Sequence, residues 1–138
     1  MIANAWDVDD CKTIVDDRGR LLVIESDDVD IENFKRLYCI VFAKKGITRG
    51  HHAHKALQQV LVVLNGAISI MLDDGRRRET FKITAESNAR LKISKPAWRE
   101  ITSLHDNTII AVLADETYQE DDYLRNYDDF IDYTRESS

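Results

Sequence analysis

Proline is almost missing from this chain: Pro96 stands alone among 138 residues, and there are only five glycines. So little of either excludes a collagen-like or low-complexity chain. Cysteine is equally scarce, and the two present, Cys11 and Cys39, form no Cys-x-x-Cys spacing. A disulfide framework, a zinc knuckle and a redox motif are therefore not expected, and both read as free thiols. No apolar run approaches the ~20 residues needed to span a bilayer, and Met1 to Asp10 lacks the basic and apolar regions of a signal peptide. A cytoplasmic location with no membrane partner is expected. Basic residues are outnumbered, 19 Lys and Arg against 25 Asp and Glu, for a formal net charge of −6. This balance argues against a nucleic-acid partner, because binding its backbone rests on clustered Lys and Arg. What remains is a chain with 43% hydrophobic residues, long enough for one domain with a sizeable core.

Short stretches of β-type residues punctuated by turns fill most of the length. Cys11 to Val15 reads as a strand, Asp16-Asp17-Arg18-Gly19 as a turn, and Arg20 to Glu25 as a buried strand. Ser26 to Asn33 is acidic and loop-like, and Lys35 to Ala43 has the aromatic and β-branched enrichment of a strand. Val60 to Leu64 is an apolar strand, Asn65-Gly66 carries a strong hairpin signal, and Ala67 to Leu72 alternates in the manner of a half-buried strand. Asp73-Asp74-Gly75 turns into Glu79 to Thr84, and Ala89 to Ile93, Trp98 to Thr102 and Thr108 to Ala114 follow. Eight or more short antiparallel strands at this spacing predict an all-β barrel or jelly roll. The tail changes character. From Glu120 to Arg135, charges are interspersed with Tyr123, Leu124, Tyr127, Phe130, Ile131 and Tyr133 near helical spacing. This predicts one C-terminal helix, with 118–135 as a helical extension of a single domain spanning 1–138. The acidic run Glu116 to Asp122 reads as a solvated face.

Three of the four histidines lie in Arg49-Gly50-His51-His52-Ala53-His54-Lys55. On a strand His52 and His54 share one face and His51 takes the other. Gly46, five residues, His52-Ala53-His54, four residues, Gln59, six residues, Gly66 resembles the first motif of the small β-barrels called cupins, with Gln59 where a glutamate is usual. A metal-binding cupin uses two histidines, that glutamate and a further histidine from a second motif. Here Gln59 is uncharged, and Lys95-Pro96-Ala97-Trp98-Arg99-Glu100-Ile101 contains no histidine. The donor set for a divalent ion is incomplete, so a tightly held metal is not expected, and no other cofactor is assigned. Paired imidazoles without a metal are candidates for acid and base work near neutral pH.

Lys35-Arg36-Leu37-Tyr38, the histidine strand, Gln59 to Gly66, Leu72-Asp73-Asp74-Gly75 and Asp122-Tyr123-Leu124-Arg125-Asn126-Tyr127-Asp128 together resemble the sugar-nucleotide 3,4-ketoisomerases. The resemblance implies a metal-free, homodimeric cupin. Its members move the ketone of a dTDP-4-keto-6-deoxy-hexose from carbon 4 to carbon 3, in deoxy-amino-sugar biosynthesis for surface polysaccharide. It also implies that His52 and His54, with Tyr38 beside them, form the catalytic group. One histidine would take the carbon 3 proton while the other, with Tyr38, shuttles protons between the sugar oxygens. Arg18, Arg49 and Lys55 are candidates for the pyrophosphate, and Gln59, Trp98 and Arg99 complete the expected substrate contacts. Arg99 stands where the family typically has a histidine, and Trp98 reads equally as a core aromatic. Two other functions stay open: a related cupin that epimerises at carbons 3 and 5, and a non-catalytic nucleotide-sugar binding module.

Overall fold

Period-two alternation dominates the chain, and the strands it specifies assemble into two facing sheets. A computed structural model describes residues 4–25 and 34–136; the loop expected at Ser26 to Asn33 lies outside the described residues. The strands are β1 (Trp6–Asp10), β2 (Lys12–Asp16), β3 (Gly19–Val23), β4 (Arg36–Phe42), β5 (Thr48–His54) and β6 (Gln59–Asn65). They continue with β7 (Ala67–Asp73), β8 (Arg78–Thr84), β9 (Ala89–Ile93), β10 (Trp98–Ser103), β11 (Thr108–Ala114) and β12 (Tyr123–Leu124). One sheet runs β1-β9-β6-β11-β4 and the other β12-β5-β10-β7-β8, while β2 and β3 pair only with each other. All these pairings are antiparallel. This is the all-β jelly-roll barrel the strand spacing predicts.

The core lies between the two sheets. Phe42 from β4, Leu61 and Val63 from β6, Ile68, Ile70 and Leu72 from β7, and Ile110 and Val112 from β11 are all under a tenth exposed and in one cluster. Alternation places every second residue of these strands there and sends its neighbours to the opposite face, where Val60 and Val62 of β6 are buried as well. On β4, for example, Arg36, Tyr38 and Ile40 are partly buried, whereas Leu37, Cys39 and Val41 are exposed.

Three expectations fail here, each for a structural reason. Asn65-Gly66 does not close a hairpin, since β6 and β7 lie in different sheets and do not pair. It is a corner from one sheet to the other, with Gly66 at φ +78° and any Cβ there placed 2.5 Å from Thr108 Oγ1. The glycine answers to a close approach, not to a two-residue turn. Arg20 to Glu25 is not a buried strand: β3 forms a two-stranded ribbon with β2 that exposes Ile14, Val15 and Leu21. Arg20 ties the ribbon to the barrel by donating to Asn88 Oδ1 and to the Ala85 carbonyl, each at 2.6 Å. Finally, the α-helix occupies only Tyr127–Glu136, and 118–126 contains no α-helix. A single 3-10 turn, Glu120–Asp122, leads into β12, whose backbone extends the second sheet beside β5. Asn126 then starts the helix by accepting the Asp129 N–H at 3.1 Å. Its apolar side behaves as predicted: Phe130, fully buried, packs with Ala53 and Trp98, flanked by Tyr127 and Ile131.

Candidate functional site

The polar interior of the barrel is concentrated at one end, where β4, β5, β6 and β10 each send one or two inward side chains. His52 and His54 on β5 meet edge to face, ring centroids 5.0 Å apart and planes at 83°. Tyr38 comes from β4, Gln59 from β6 and Arg99 from β10. Gln59 Nε2 donates to Tyr38 Oη at 2.8 Å, and Arg99 Nη1 donates to Gln59 Oε1. Arg99 Nη2 reaches the Ala97 carbonyl at 3.2 Å. Five of the nine predicted residues thus converge in one constellation. The amide of Gln59 is engaged on both sides and has a guanidinium against its oxygen, an arrangement that does not fit a divalent ion.

A β-bulge aims this strand. The register of β10 on β5 jumps from Arg99 opposite His52 to Glu100 opposite Gly50, leaving His51 as the extra residue. His51 adopts φ +55° and Gly50 φ +107°. An added Cβ at Gly50 would lie 2.8 Å from the Arg99 carbonyl, so glycine is what lets the two strands approach. The turn brings the Gly50 carbonyl to His52 Nδ1 at 3.1 Å, which makes Nδ1 the protonated nitrogen. His51 itself is exposed, its Nδ1 3.8 Å from Glu100, at the rim of the cavity that His52 enters.

His54 is only 2% exposed and its Nδ1 lies 3.1 Å from Asp122 Oδ2, while its Nε2 is buried with no partner among the described residues. Asp122 also accepts the Ala56 N–H at 2.8 Å and the Leu57 N–H at 3.4 Å. The acidic tail is therefore not simply a solvated face. Neighbouring Tyr123 lies over both histidines, 5.1 Å from the His52 ring and 4.3 Å from that of His54, and carries the Arg125 guanidinium on its own face at 4.1 Å. Arg125 pairs with Glu120 at 2.9 Å.

Burial, reinforced by Arg99, holds both imidazoles below their ordinary pKa; His52 falls to about 4 and His54 lies lower still. Both are neutral at pH 7, and with Nδ1 protonated each keeps an Nε2 lone pair to accept a proton. Burial and the cations of Arg99, Arg36 and Arg125 hold His54 neutral even with the Asp122 carboxylate 3.1 Å from its Nδ1. Burial also lowers Arg99, to about 10, so it stays charged at neutral pH, and burial raises the Tyr38 phenol.

Two adjoining cavities serve these groups. One of about 610 Å³ is lined by His52, Tyr38, Gln59, Arg99, Arg49 and Gly50, and one of about 400 Å³ by His54, Leu57, Asp115, Gln119 and Asp122. Arg36 and Tyr123 form walls of both, and Arg125 borders the larger. Four arginines thus surround the larger cavity of a chain whose net charge is negative. Three predicted contacts are not brought there. Trp98 faces the other side of β10, where its ring meets Tyr127 edge to face at 5.4 Å and its indole N–H donates to Glu100. Adjacent strand residues cannot share a face, so Arg99 points inward and Trp98 becomes core. Arg18 sits at the tip of the β2–β3 ribbon, paired with Asp16 at 2.7 Å. Lys55 is exposed and meets Asp122 through its backbone N–H, at 2.9 Å. Sequence reasoning missed Arg36, Asp122 and Arg125 as site groups, although all three fall inside stretches that carried the family resemblance.

Known proteins of similar sequence and shape share this arrangement of sheets. The family described as WxcM-like, C-terminal (FdtA) matches residues 5–135. A TDP-4-oxo-6-deoxy-alpha-D-glucose-3,4-oxoisomerase of Aneurinibacillus thermoaerophilus is 41% identical over 123 residues, spanning 88% of this chain and 87% of that protein. Among solved structures, QdtA, a sugar 3,4-ketoisomerase of Thermoanaerobacterium thermosaccharolyticum in complex with TDP, superposes with a TM-score of 0.88 at 36% identity, covering 99% of this chain and 98% of that one. A 3,4-ketoisomerase of Helicobacter canadensis superposes with a TM-score of 0.87 at 34% identity, covering 94% and 97%.

Proposed function

This chain belongs to the sugar-nucleotide 3,4-ketoisomerase family, and from that premise we propose that it moves the ketone of dTDP-4-keto-6-deoxy-glucose from carbon 4 to carbon 3. The observation that carries this reading is the pair of neutral imidazoles, each with an unprotonated Nε2, beside the Tyr38–Gln59–Arg99 chain. The hydrogen on carbon 3 is acidic because it lies next to the carbonyl at carbon 4. One imidazole takes that proton as oxygen 4 gains one, which gives an enediol. Oxygen 3 then releases its proton and carbon 4 receives one, so one C–H and one O–H have changed places and no electrons enter or leave. Tyr38 is the hydroxyl that relays protons between the two sugar oxygens. Arg99, charged and buried, offsets the negative charge that gathers on oxygen in the transition state. Arg49, joined by Arg36 and Arg125, supplies cations for the pyrophosphate.

The enzyme acts as a homodimer in the cytoplasm. Leu37 and Val41 are 65% and 58% exposed on β4, an edge strand of its sheet, and Ile14, Val15 and Leu21 are exposed on the β2–β3 ribbon. A second copy would cover these apolar groups. Sedimentation equilibrium then gives twice the chain mass, and a monomer mass at about 100 μM would overturn it. Cys11 and exposed Cys39 are both free thiols, as suits a reducing compartment; recovery of the native protein outside the cytoplasmic fraction would contradict this.

The deciding experiment is incubation with dTDP-4-keto-6-deoxy-glucose in deuterium oxide. A new 3-ketone with deuterium at carbon 4 supports the reading. Inversion with deuterium at carbons 3 and 5 would make the protein an epimerase, and unchanged sugar a binding module.

A further inference from the structure

The two histidines are held by unlike groups, and the difference assigns a role to a residue of the C-terminal tail. His52 has a backbone carbonyl against Nδ1, whereas His54 has a carboxylate, 68 residues away in sequence. We propose that Asp122 is a positioning residue that locks His54 as the Nδ1–H tautomer and supports the positive charge His54 acquires when its Nε2 takes a proton during turnover. The inference rests on the isomerase reading above.

Three observations carry it. First, Asp122 is itself fixed. Its Oδ1 accepts the Ala56 N–H at 2.8 Å, its Oδ2 lies 3.4 Å from the Leu57 N–H, and its own carbonyl accepts the Lys55 N–H at 2.9 Å. The carboxylate is thereby set against the turn that follows β5, at a distance from His54 that one bond defines. Second, the far nitrogen of His54 is buried and unpartnered, an acceptor with nothing among the described residues to accept from. A polar atom left so costs free energy unless a ligand supplies the partner. Third, Arg99, Arg36 and Arg125 all disfavour a proton on His54, and Asp122 is the acidic group in hydrogen-bond reach of the ring. A proton abstracted from carbon is held transiently on a base in this surrounding, and the carboxylate makes that possible without leaving the resting histidine charged.

The test separates the tautomer from the carboxylate's part in the fold. In Asp122→Asn the amide oxygen stays with the Ala56 N–H, and the amide nitrogen therefore faces His54 Nδ1. A donor at that point forces the proton onto Nε2, so the lone pair needed for the reaction is lost while the turn keeps its hydrogen bond. Histidine-selective 15N labelling reads the outcome directly. In the wild type His54 should show a protonated Nδ1, and in the variant a protonated Nε2. Turnover of dTDP-4-keto-6-deoxy-glucose should fall about 100-fold or more, with KM changed less than about threefold and thermal stability close to wild type. Asp122→Glu, which keeps a carboxylate, should recover part of the rate. A wild-type His54 protonated on Nε2 overturns the proposal. So does an Asp122→Asn enzyme whose tautomer has switched but whose turnover lies within about threefold of wild type. The labelling result does not depend on the substrate, so a failure of the isomerase reading itself would appear separately, as a wild-type protein inert toward this sugar.

Discussion

Acidification should unfold this protein in a window set by its two interior histidines. Both are held below the ordinary value of 6.5, His52 at about 4. A base whose folded pKa is depressed binds its proton more readily when unfolded. Its burial is harmless above pH 6.5 and counts increasingly against the fold as pH falls toward the folded value. At about pH 5 an unfolded histidine of pKa 6.5 is almost wholly protonated and a folded one of pKa about 4 almost wholly neutral. The difference is about 2 kcal/mol, or roughly 30-fold in the folded-to-unfolded ratio. His54 contributes the same ~2 kcal/mol at that pH, because lowering a folded pKa further changes nothing once the group is already neutral. The pair together should remove about 4 kcal/mol between pH 8 and pH 5. The carboxylates held low by ion pairs and hydrogen bonds, Asp9 with Arg90 and Asp73 with Tyr127 and Arg78, lose their contribution only as pH falls through about 4. The window from pH 7 to 5 therefore isolates the histidines. Urea unfolding at about pH 8, 7, 6 and 5 of the wild type and of the His52→Asn and His54→Asn variants measures it. Each variant should show a pH slope flatter by about 2 kcal/mol. Parallel curves for all three proteins would refute the argument.

The bulge offers a separate test. Gly50→Ala places a Cβ 2.8 Å from the Arg99 carbonyl on a residue at φ +107°. Strain of 1–3 kcal/mol plus displacement of that carbonyl should cost about 3 kcal/mol and lower Tm by roughly 10 °C. Turnover should fall more than stability predicts, since the Gly50 carbonyl that orients His52 moves with it. An unchanged Tm would mean that the two strands can part at no cost.

The fold was legible wherever a residue's role depends on its near neighbours. Period-two alternation is enough to put His52 and His54 on one face and to give most strands of both sheets, but not β1, whose residues show no clear periodicity, or β12. The same rule, applied one step further, separates Trp98 from Arg99, since neighbours on β10 cannot both enter the cavity. What alternation cannot supply is the partner of a strand. Asn65-Gly66 has the composition of a hairpin, but β6 and β7 leave it for different sheets, and only the pairing of β6 with β9 and β11 decides that. The tail is illegible for the same reason. Tyr123 and Leu124 continue the helical spacing of 127–131, yet an open edge on β5 takes them as a strand. That one long-range pairing moves Asp122 from a solvated run to hydrogen-bond distance of a histidine 68 residues earlier.

Gln59 is legible as a departure from the usual motif, but its consequence depends on Arg99. The amide oxygen faces the Arg99 guanidinium and offers no charge against it, so Gln59 adds nothing to the favourable pull of Asp122 on that cation. Arg99 is the largest influence after burial in keeping both imidazoles neutral. A glutamate at this position would neutralise Arg99 as a buried ion pair and add a carboxylate beside the histidines. Gln59→Glu should therefore raise the His52 pKa above about 4, toward its ordinary value, and move the acid limb of the turnover-against-pH profile upward with it. NMR titration of the His52 ring measures the first shift and initial rates from about pH 5 to 8 the second. If neither moves, Arg99 is not what keeps the histidines free of protons, and the interior charge balance must be set by burial alone.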